Sequence, residues 1–329
     1  MKNKFYVTAE FREDYPNDTE LAKNFNDHIK KESIDCLVST INKLGYECKF
    51  YGGINSLLKI NTFEQNIIFI NYNYGKTEQH KRAQAPLLLE MANVKYSGSD
   101  PFVSLLVNDK AFTNKILTAS DITTPQHILY YKNSVLPKEI QFPVIVKPNA
   151  SSSSLGITQN SIAYNYEELS QILNKQKKYL PLIIENYISG YEITVWIIGN
   201  KDRFSLVAPL LISKKEKEFF MKKDVFTFED KANHQRFFHN PYNILSKELV
   251  SKVCEIAKRC FTILNMRDYG RLDFRVDESG NIFFLEANAL PGFSMSTDIG
   301  YVCQFYDYKY EDICSKLIET VLSRFNDQN

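Results

Sequence analysis

Arg271-Leu-Asp-Phe-Arg-Val-Asp-Glu-Ser-Gly-Asn-Ile-Phe-Phe-Leu-Glu-Ala-Asn288 holds two alternating runs separated by Ser279-Gly280. Alternation marks strands that bury one face, and the Ser-Gly pair predicts a two-residue hairpin turn. Such a turn sets Val276 opposite Phe283, Phe274 opposite Leu285 and Leu272 opposite Ala287. These apolar side chains then share a face, which supports the register, because a one-residue slip would expose them. On the other face Asp273 lies opposite Glu286, and Arg271 opposite Asn288. Directly opposed carboxylates repel each other. A cation removes the repulsion, and oxygen donors from Asp, Glu and Asn suit Mg²⁺ shared with phosphates. Arg271, one pleat away, is placed to meet negative charge developing on a reacting carboxylate or phosphate. A polar strand face turned to solvent would present the same residues, so the hairpin alone leaves both readings open.

Upstream, Phe142-Pro-Val-Ile-Val-Lys-Pro148 reads as an apolar strand ending at Lys147. It runs into Asn149-Ala-Ser-Ser-Ser-Ser-Leu-Gly156. Small residues let a backbone approach a ligand closely, and hydroxyls with free N–H groups bind phosphate oxygens. The GxxxxGK[ST] of a Walker loop is absent, and a flexible polar linker is the competing reading. Lys110, at a helix start after Asp109, is a second candidate cation. Leu182–Ile188 and Glu192–Ile198 read as strands on either side of Gly190. Ser246–Leu264 and Tyr310–Phe325 carry helical apolar spacing. The first hundred residues alternate helix and strand patterns, among them the unbroken apolar run Ile67-Ile-Phe-Ile70. This predicts an α/β layer domain ending near residue 104.

At 329 residues the chain is long enough for two or three domains. A net charge of +1 with 44% hydrophobic residues argues against disorder and against a nucleic-acid surface. The basic run Lys214–Lys223 is interrupted by Glu216, Glu218 and two phenylalanines, as in a solvated loop or lid. No apolar stretch approaches the ~20 residues of a membrane helix, and the N-terminus lacks the apolar core of a signal peptide. The six cysteines form no CxxC and are expected to be reduced core thiols of a cytoplasmic protein.

The four motifs Lys147-Pro with its serine-rich loop to Gly156, Glu185-x-Tyr-Ile-x-Gly-x-Glu192, Arg271-x-Asp-Phe274 and Leu285-Glu-Ala-Asn-x-x-Pro-Gly292 occur in one order. Together they resemble the D-alanine–D-alanine ligase branch of the ATP-grasp superfamily, over roughly residues 75 to 322. The resemblance implies an α/β (α+β) fold with three-domain ATP-grasp architecture. A Rossmann-like N-terminal domain would span 1–104, a central subdomain with the phosphate loop 105–188, and a C-terminal subdomain with the metal-binding hairpin 189–329. It further implies ATP and Mg²⁺ as cofactors, with two ions and Mn²⁺ able to substitute. Lys110 and Lys147 match phosphate-binding lysines, and Lys231 a further phosphate contact with a catalytic role. Ser153 and Ser154 lie in the loop that closes over the phosphates, Ser153 counted as catalytic. Glu185, Asn186 and Ile188 match the segment at the adenine, with Phe274 and Leu285 joining the cofactor set. Glu192 matches the ribose-binding carboxylate. Asp273, Glu286 and Asn288 match the metal ligands, and Arg271 the arginine that steadies the acyl-phosphate. Small-molecule carboxylate and amine substrates follow, with no nucleic acid, no membrane and a homodimer through the first domain.

Departures cluster where amino acids would bind. The family's N-terminal Gly-Gly-x-Ser-x-Glu motif is missing, leaving Glu10 or Glu13 as substitutes. Ser152 replaces a loop glycine, and Ala232 a tyrosine. After Pro291-Gly292 stand Ser294-Met-Ser-Thr-Asp298, with Thr297 a candidate donor to a substrate carboxylate. Asp298 adds a negative charge that favours an ammonium or guanidinium there. Gly292, Thr297, Asp298 and Arg271 are therefore the candidate substrate residues. The expected enzyme is a ligase with retained ATP chemistry and rebuilt substrate pockets. An authentic D-alanine–D-alanine ligase, a phosphotransferase and a non-catalytic nucleotide-binding regulator are the alternatives.

Overall fold

The computed structural model describes residues 3–11, 29–60, 66–76, 80–150, 156–227, 230 and 235–327. The first sheet contains β1 (Lys4–Ala9), β2 (Glu47–Gly52), β3 (Ile67–Tyr72) and β4 (Lys95–Tyr96), in the order β2-β1-β3-β4. All three pairings are parallel. Every residue of β3 is buried, as its apolar run implies. Successive side chains of a strand point to opposite faces. Accordingly Phe5, Val7, Ile68 and Ile70 meet Ile34, Leu37 and Ile41 of α1 (Lys31–Lys43). Ile67 and Phe69 instead join Ile54 and Leu57 of α2 (Ile54–Leu57) and Ala85 and Leu89 of α3 (Lys81–Met91).

Two short helices follow, α4 (Pro101–Leu106) and α5 (Lys110–Thr118). Asp100 and Asp109 cap them by accepting the Val103 and Phe112 N–H groups. The second sheet, β5 (His127–Tyr130), β6 (Val144–Pro148), β7 (Ile162–Ala163) and β8 (Leu182–Asn186), is antiparallel in the order β5-β8-β6-β7. With α6 (Tyr166–Gln176) it encloses its own core of Val144, Val146, Leu169, Leu173 and Ile184.

The third sheet holds β9 (Gly190–Asn200), β10 (Arg203–Ser213), β11 (Phe220–Met221), β12 (Phe237–His239), β13 (Arg267–Val276) and β14 (Ile282–Asn288). Its order is β12-β10-β9-β13-β14, with β11 on β9. One face packs on α7 (Lys247–Ile263), and also on Val103 of α4, Val107 just after it and Leu117 of α5. The expected central unit, 105–188, thus begins with a helix whose core belongs to the third sheet. The other face shares a core with the first sheet. There Trp196, Ile198 and Phe293 join Phe5, Val7 and Ile70, with Ile313 and Leu317 of α9 (Tyr310–Asn326). Between hairpin and α9 lies α8 (Asp298–Tyr306).

The hairpin differs from its predicted register near the turn. Its loop has three residues, Glu278-Ser279-Gly280, closed by Asp277 N–H donating to the Asn281 carbonyl at 3.0 Å. Gly280 takes φ +80°, a conformation that favours glycine. The Asp277 carboxylate locks the loop by accepting from the Asn281 amide and side chain. Val276 therefore opposes Ile282, and Phe274 opposes Phe284 rather than Leu285. A bulge between Asp273 and Phe274 resets the ladder, so Asp273 faces Glu286 and Arg271 faces Asn288.

A buried junction joins the first and third sheets. Asp268, fully buried at φ +63°, accepts from Gly98 N–H, Asn200 Nδ2, and Arg324 through Nε and Nη2. Arg324 Nη2 also donates to the Tyr96 carbonyl at 2.6 Å. Removing one member of a buried ion pair strands the other. Arg324→Ala is expected to lower unfolding free energy by ~3 kcal/mol, read from urea denaturation.

All six cysteines are free, and only Cys36 is exposed. Burial pushes the Cys48 and Cys260 thiols up to about 12, and Cys254 and Cys303 to about 11. A raised thiol pKa removes the reactive thiolate at pH 8. A disulfide-exchange reagent at pH 8 is expected to titrate one thiol quickly in the native protein and six in denaturant.

Candidate active site

Alternation along β13 turns Arg271, Asp273 and Arg275 to one side, and Leu272, Phe274 and Val276 into the core against α7. Phe274, expected among the cofactor residues, is fully buried and lies edge-on to Phe284, so it does not reach the cleft. The bulge leaves Leu285 on the cleft side together with its neighbour Glu286. The cleft, of about 90 Å³, is lined by Lys147, Glu192, Asp273, Arg275, Leu285 and Glu286, with apolar walls that include Ile145, Val225 and Phe226. A roomier cavity of about 740 Å³, between the β9–β10 turn and α9, contains none of these side chains.

Arg271 grips Asp273 with two hydrogen bonds, Nε to Oδ1 at 3.0 Å and Nη2 to Oδ2 at 2.8 Å. Its Nη2 is also 3.9 Å from Glu286 Oε1. Thr194 on β9 donates to Asp273 Oδ1. Burial pushes the Asp273 carboxyl up from its ordinary value; Arg271 opposes this and Glu286 adds to it. For Arg271, burial favours the neutral form, but Asp273 and Asp298 outweigh it and raise the pKa. The guanidinium thus neutralises the opposed carboxylates in the way a cation would. Among the described residues no group of three or more His, Cys, Asp or Glu is set to hold a metal. Asp273 and Glu286 with the Asn288 amide fit a hard ion that takes its remaining ligands from phosphates and water. Asn288 Oδ1 accepts from Leu290 N–H, which orients the amide.

Across the cleft, Lys147 pairs with buried Glu185 at 2.5 Å, and Asn114 Nδ2 donates to the same carboxylate at 3.1 Å. Lys110 is buried at the start of α5, where Asn149 accepts the Lys110 N–H through its carbonyl and the Ala111 N–H through its side chain. Glu185 serves Lys147 as counter-ion. Asn186 ends β8, and Ile188 lies on the connection from β8 to β9. Arg275 ties that connection to the cleft, donating from Nη1 to the Ile188 carbonyl at 3.0 Å and from Nη2 to Glu192 at 2.6 Å.

The substrate candidates carry more partners than expected. The Thr297 hydroxyl is shared between the Gly292 and Ser294 carbonyls, both at 2.8 Å, so its proton is engaged within the loop. Asp298 is 5% exposed and accepts from Arg271 Nη1 at 2.9 Å, with Arg236 Nη2 at 3.8 Å from its other oxygen. It is a neutralised carboxylate, not the free charge expected. Glu10 accepts the Ile54 N–H at the start of α2, which commits one oxygen to capping. Ser152, Ser153, Ser154, Lys231, Ala232 and Glu13 lie outside the described residues.

Sequence reasoning missed Arg275, Thr194, Asn114 and Arg236. Arg275 shares strand parity with Asp273, a signal that was present. Thr194 and Asn114 come from elements distant in sequence, and Arg236 sits in a segment without periodicity.

A family model described as D-ala D-ala ligase C-terminus matches residues 116–319. The D-alanine–D-alanine ligase of Aquifex aeolicus is 34% identical over 209 residues, 62% of this chain and 66% of that protein. An uncharacterized protein of Sinorhizobium fredii is 26% identical over 307 residues, 88% of each chain. The crystal structure of D-alanine–D-alanine ligase from Bacillus anthracis complexed with ATP superposes with a TM-score of 0.75 at 21% identity, covering 99% of this chain and 100% of that one. The chain belongs to the D-alanine–D-alanine ligase family of ATP-grasp enzymes, which are carbon–nitrogen bond-forming ligases.

Arg275→Met leaves Glu192 without its partner in a largely buried setting. A loss of ~3 kcal/mol is expected by urea unfolding. Adding Glu192→Gln to Arg275→Met should recover part of that loss, and the double-mutant cycle measures the coupling.

Proposed function

We propose that this chain is an ATP-dependent carboxylate–amine ligase that acts on amino-acid-like substrates through an acyl-phosphate. The observation that carries the proposal is Asp273 opposed to Glu286 beside Arg271, with Lys147 across the same cleft. In this reading Asp273, Glu286 and Asn288 hold Mg²⁺, which neutralises phosphate charge when bound. Lys147 and Lys110 hold phosphate oxygens, with Lys231, Ser153 and Ser154 completing the grip. Glu192 takes the ribose hydroxyls, the backbone from Glu185 to Ile188 reads the base, and Leu285 packs on it.

A substrate carboxylate oxygen attacks the γ-phosphorus, the bond to the bridging oxygen breaks, and ADP leaves. An amine nitrogen then attacks the acyl carbon, the carbon–oxygen bond to phosphate breaks, and the nitrogen gives up a proton. Arg271 stabilises charge in both steps. The chain does little covalent chemistry itself; it aligns the reactants and excludes water.

The units 1–104, 105–188 and 189–329 belong to this proposal, each holding one sheet. Cytoplasmic residence is supported by six free thiols. Among the described residues no helix is long and apolar enough to cross a membrane. A homodimer through the first unit is also part of it. A second reading, D-alanine–D-alanine synthesis itself, is favoured by the 34% identity to the Aquifex enzyme.

The test is ADP and phosphate release with Mg²⁺-ATP against D- and L-amino acids, singly and in pairs, with product masses. Release that needs two substrates, and a product equal to their sum less water, is expected. Asp273→Asn should lower turnover by about a hundredfold or more while the circular dichroism spectrum is kept. Tight ATP binding without substrate-dependent release would sink the ligase reading in favour of a regulator. A high rate with D-alanine alone would favour the second reading.

A further inference from the structure

Resting on the ligase reading, we infer that Arg275 positions the Glu192 carboxylate for the sugar hydroxyls and so selects a ribonucleotide over its deoxy forms. Both side chains line the cleft. Pairing of β13 with β9 places Arg275 directly beside Glu192. Arg275 Nη2 donates to Glu192 Oε2 at 2.6 Å, and Nη1 donates to the Ile188 carbonyl at 3.0 Å. Two bonds from one planar group fix the guanidinium, and the guanidinium in turn fixes the carboxylate. Among the described residues no donor meets Glu192 Oε1. That oxygen is the acceptor left for a hydroxyl entering the cleft.

Arg275 is itself buried, while Glu192 keeps 16% of its side chain exposed, so the arginine acts through the carboxylate and not on the nucleotide. A carboxylate in a cleft that receives phosphates meets their negative charge. The adjacent guanidinium offsets that repulsion. It also holds one rotamer before binding, which spares the ordering cost that a loose side chain imposes on affinity. Arg275 Cζ lies 5.8 Å from the centroid of the Tyr187 ring, whose hydroxyl donates to the Asp224 carbonyl at 2.7 Å. Asp224 directly precedes Val225 and Phe226 of the cleft wall. One side chain thus ties together the carboxylate assigned to the sugar, the backbone assigned to the base and the wall beside them. A site built to hydrogen-bond a hydroxyl rejects the analogue that lacks it, because its own polar group is then left unpaired.

The experiment titrates the full chain, in Mg²⁺, with ADP, 2′-deoxy-ADP and 3′-deoxy-ADP by calorimetry, which requires neither turnover nor the amino-acid substrates. The unaltered protein is expected to bind ADP about tenfold or more tighter than at least one deoxy form, the scale of a hydrogen bond to a charged group. Arg275→Met is expected to weaken ADP and bring the three dissociation constants together. Arg275→Lys keeps the charge but replaces the planar fork with one ammonium, and is expected to lose part of the preference. A lysine variant with the full preference overturns the inference, whether or not the methionine variant folds. So does an equal weakening of all three nucleotides with their ratio kept, the mark of a merely structural role. ADP bound by the unaltered protein without any preference sinks this inference and leaves the ligase reading standing. No binding of ADP at all sinks the ligase reading as well.

Discussion

A strand buried on both faces can carry charge only where a cleft interrupts the burial, and β9 works under that constraint. Ile193, Val195 and Ile197 enter the core under α7. On the other face Trp196 and Ile198 enter the core shared with the first sheet, while Glu192 and Thr194 precede them toward the cleft. One face of one strand therefore changes from cleft lining to packed core within a few residues. β13, β10 and β11 all pair with β9, so their registers inherit its placement. Asp273 beside Thr194 and Arg275 beside Glu192 are direct results of that pairing.

Arginine recurs as the answer to buried negative charge. Arg324 holds Asp268, Arg275 holds Glu192, and Arg271 spans Asp273 and Asp298. A buried ion pair adds little net stability over an apolar replacement, since desolvation offsets the attraction. Its usual contribution is direction. A planar guanidinium fixes carboxylate oxygens in two bonds and one plane. Around the cleft this holds the carboxylates in place before any ligand arrives.

Much of this arrangement was legible in the sequence, and the exceptions have physical causes. Opposition of Asp273 and Glu286 was read from a two-residue turn, and it holds because the bulge restores the register that the longer loop shifts. Its neighbours toward the turn do not hold, because the three-residue loop and the compensating bulge cancel only beyond Phe274. Phe274 consequently stays in the core while Leu285 turns to the cleft. Arg275 was readable from parity, since an arginine in phase with Asp273 must face the same cleft. The fate of Asp298 was not readable. Its counter-ion Arg236 comes from the edge of the third sheet, 62 residues earlier by number, and no local pattern links them. Packing of α5 on the third sheet likewise depends on contacts made only once the chain is folded.

The division of cores has a mechanical corollary. The first and third sheets share one continuous interior, stitched further by Asp268 and Arg324, so relative motion between them would tear packed side chains apart. The second sheet keeps a private interior. It meets the rest through a small cluster around Tyr187 and Val225 and through hydrogen bonds with α5, where Asn149 accepts from the Lys110 and Ala111 N–H groups and Glu185 from Asn114. By its cores the molecule divides into a heavy half, the first and third sheets, and a light half, the second. The light half carries Lys147, so an opening between the two cores would draw that lysine away from Asp273 and Glu286, and a closing would bring the opposite charges back together across the gap.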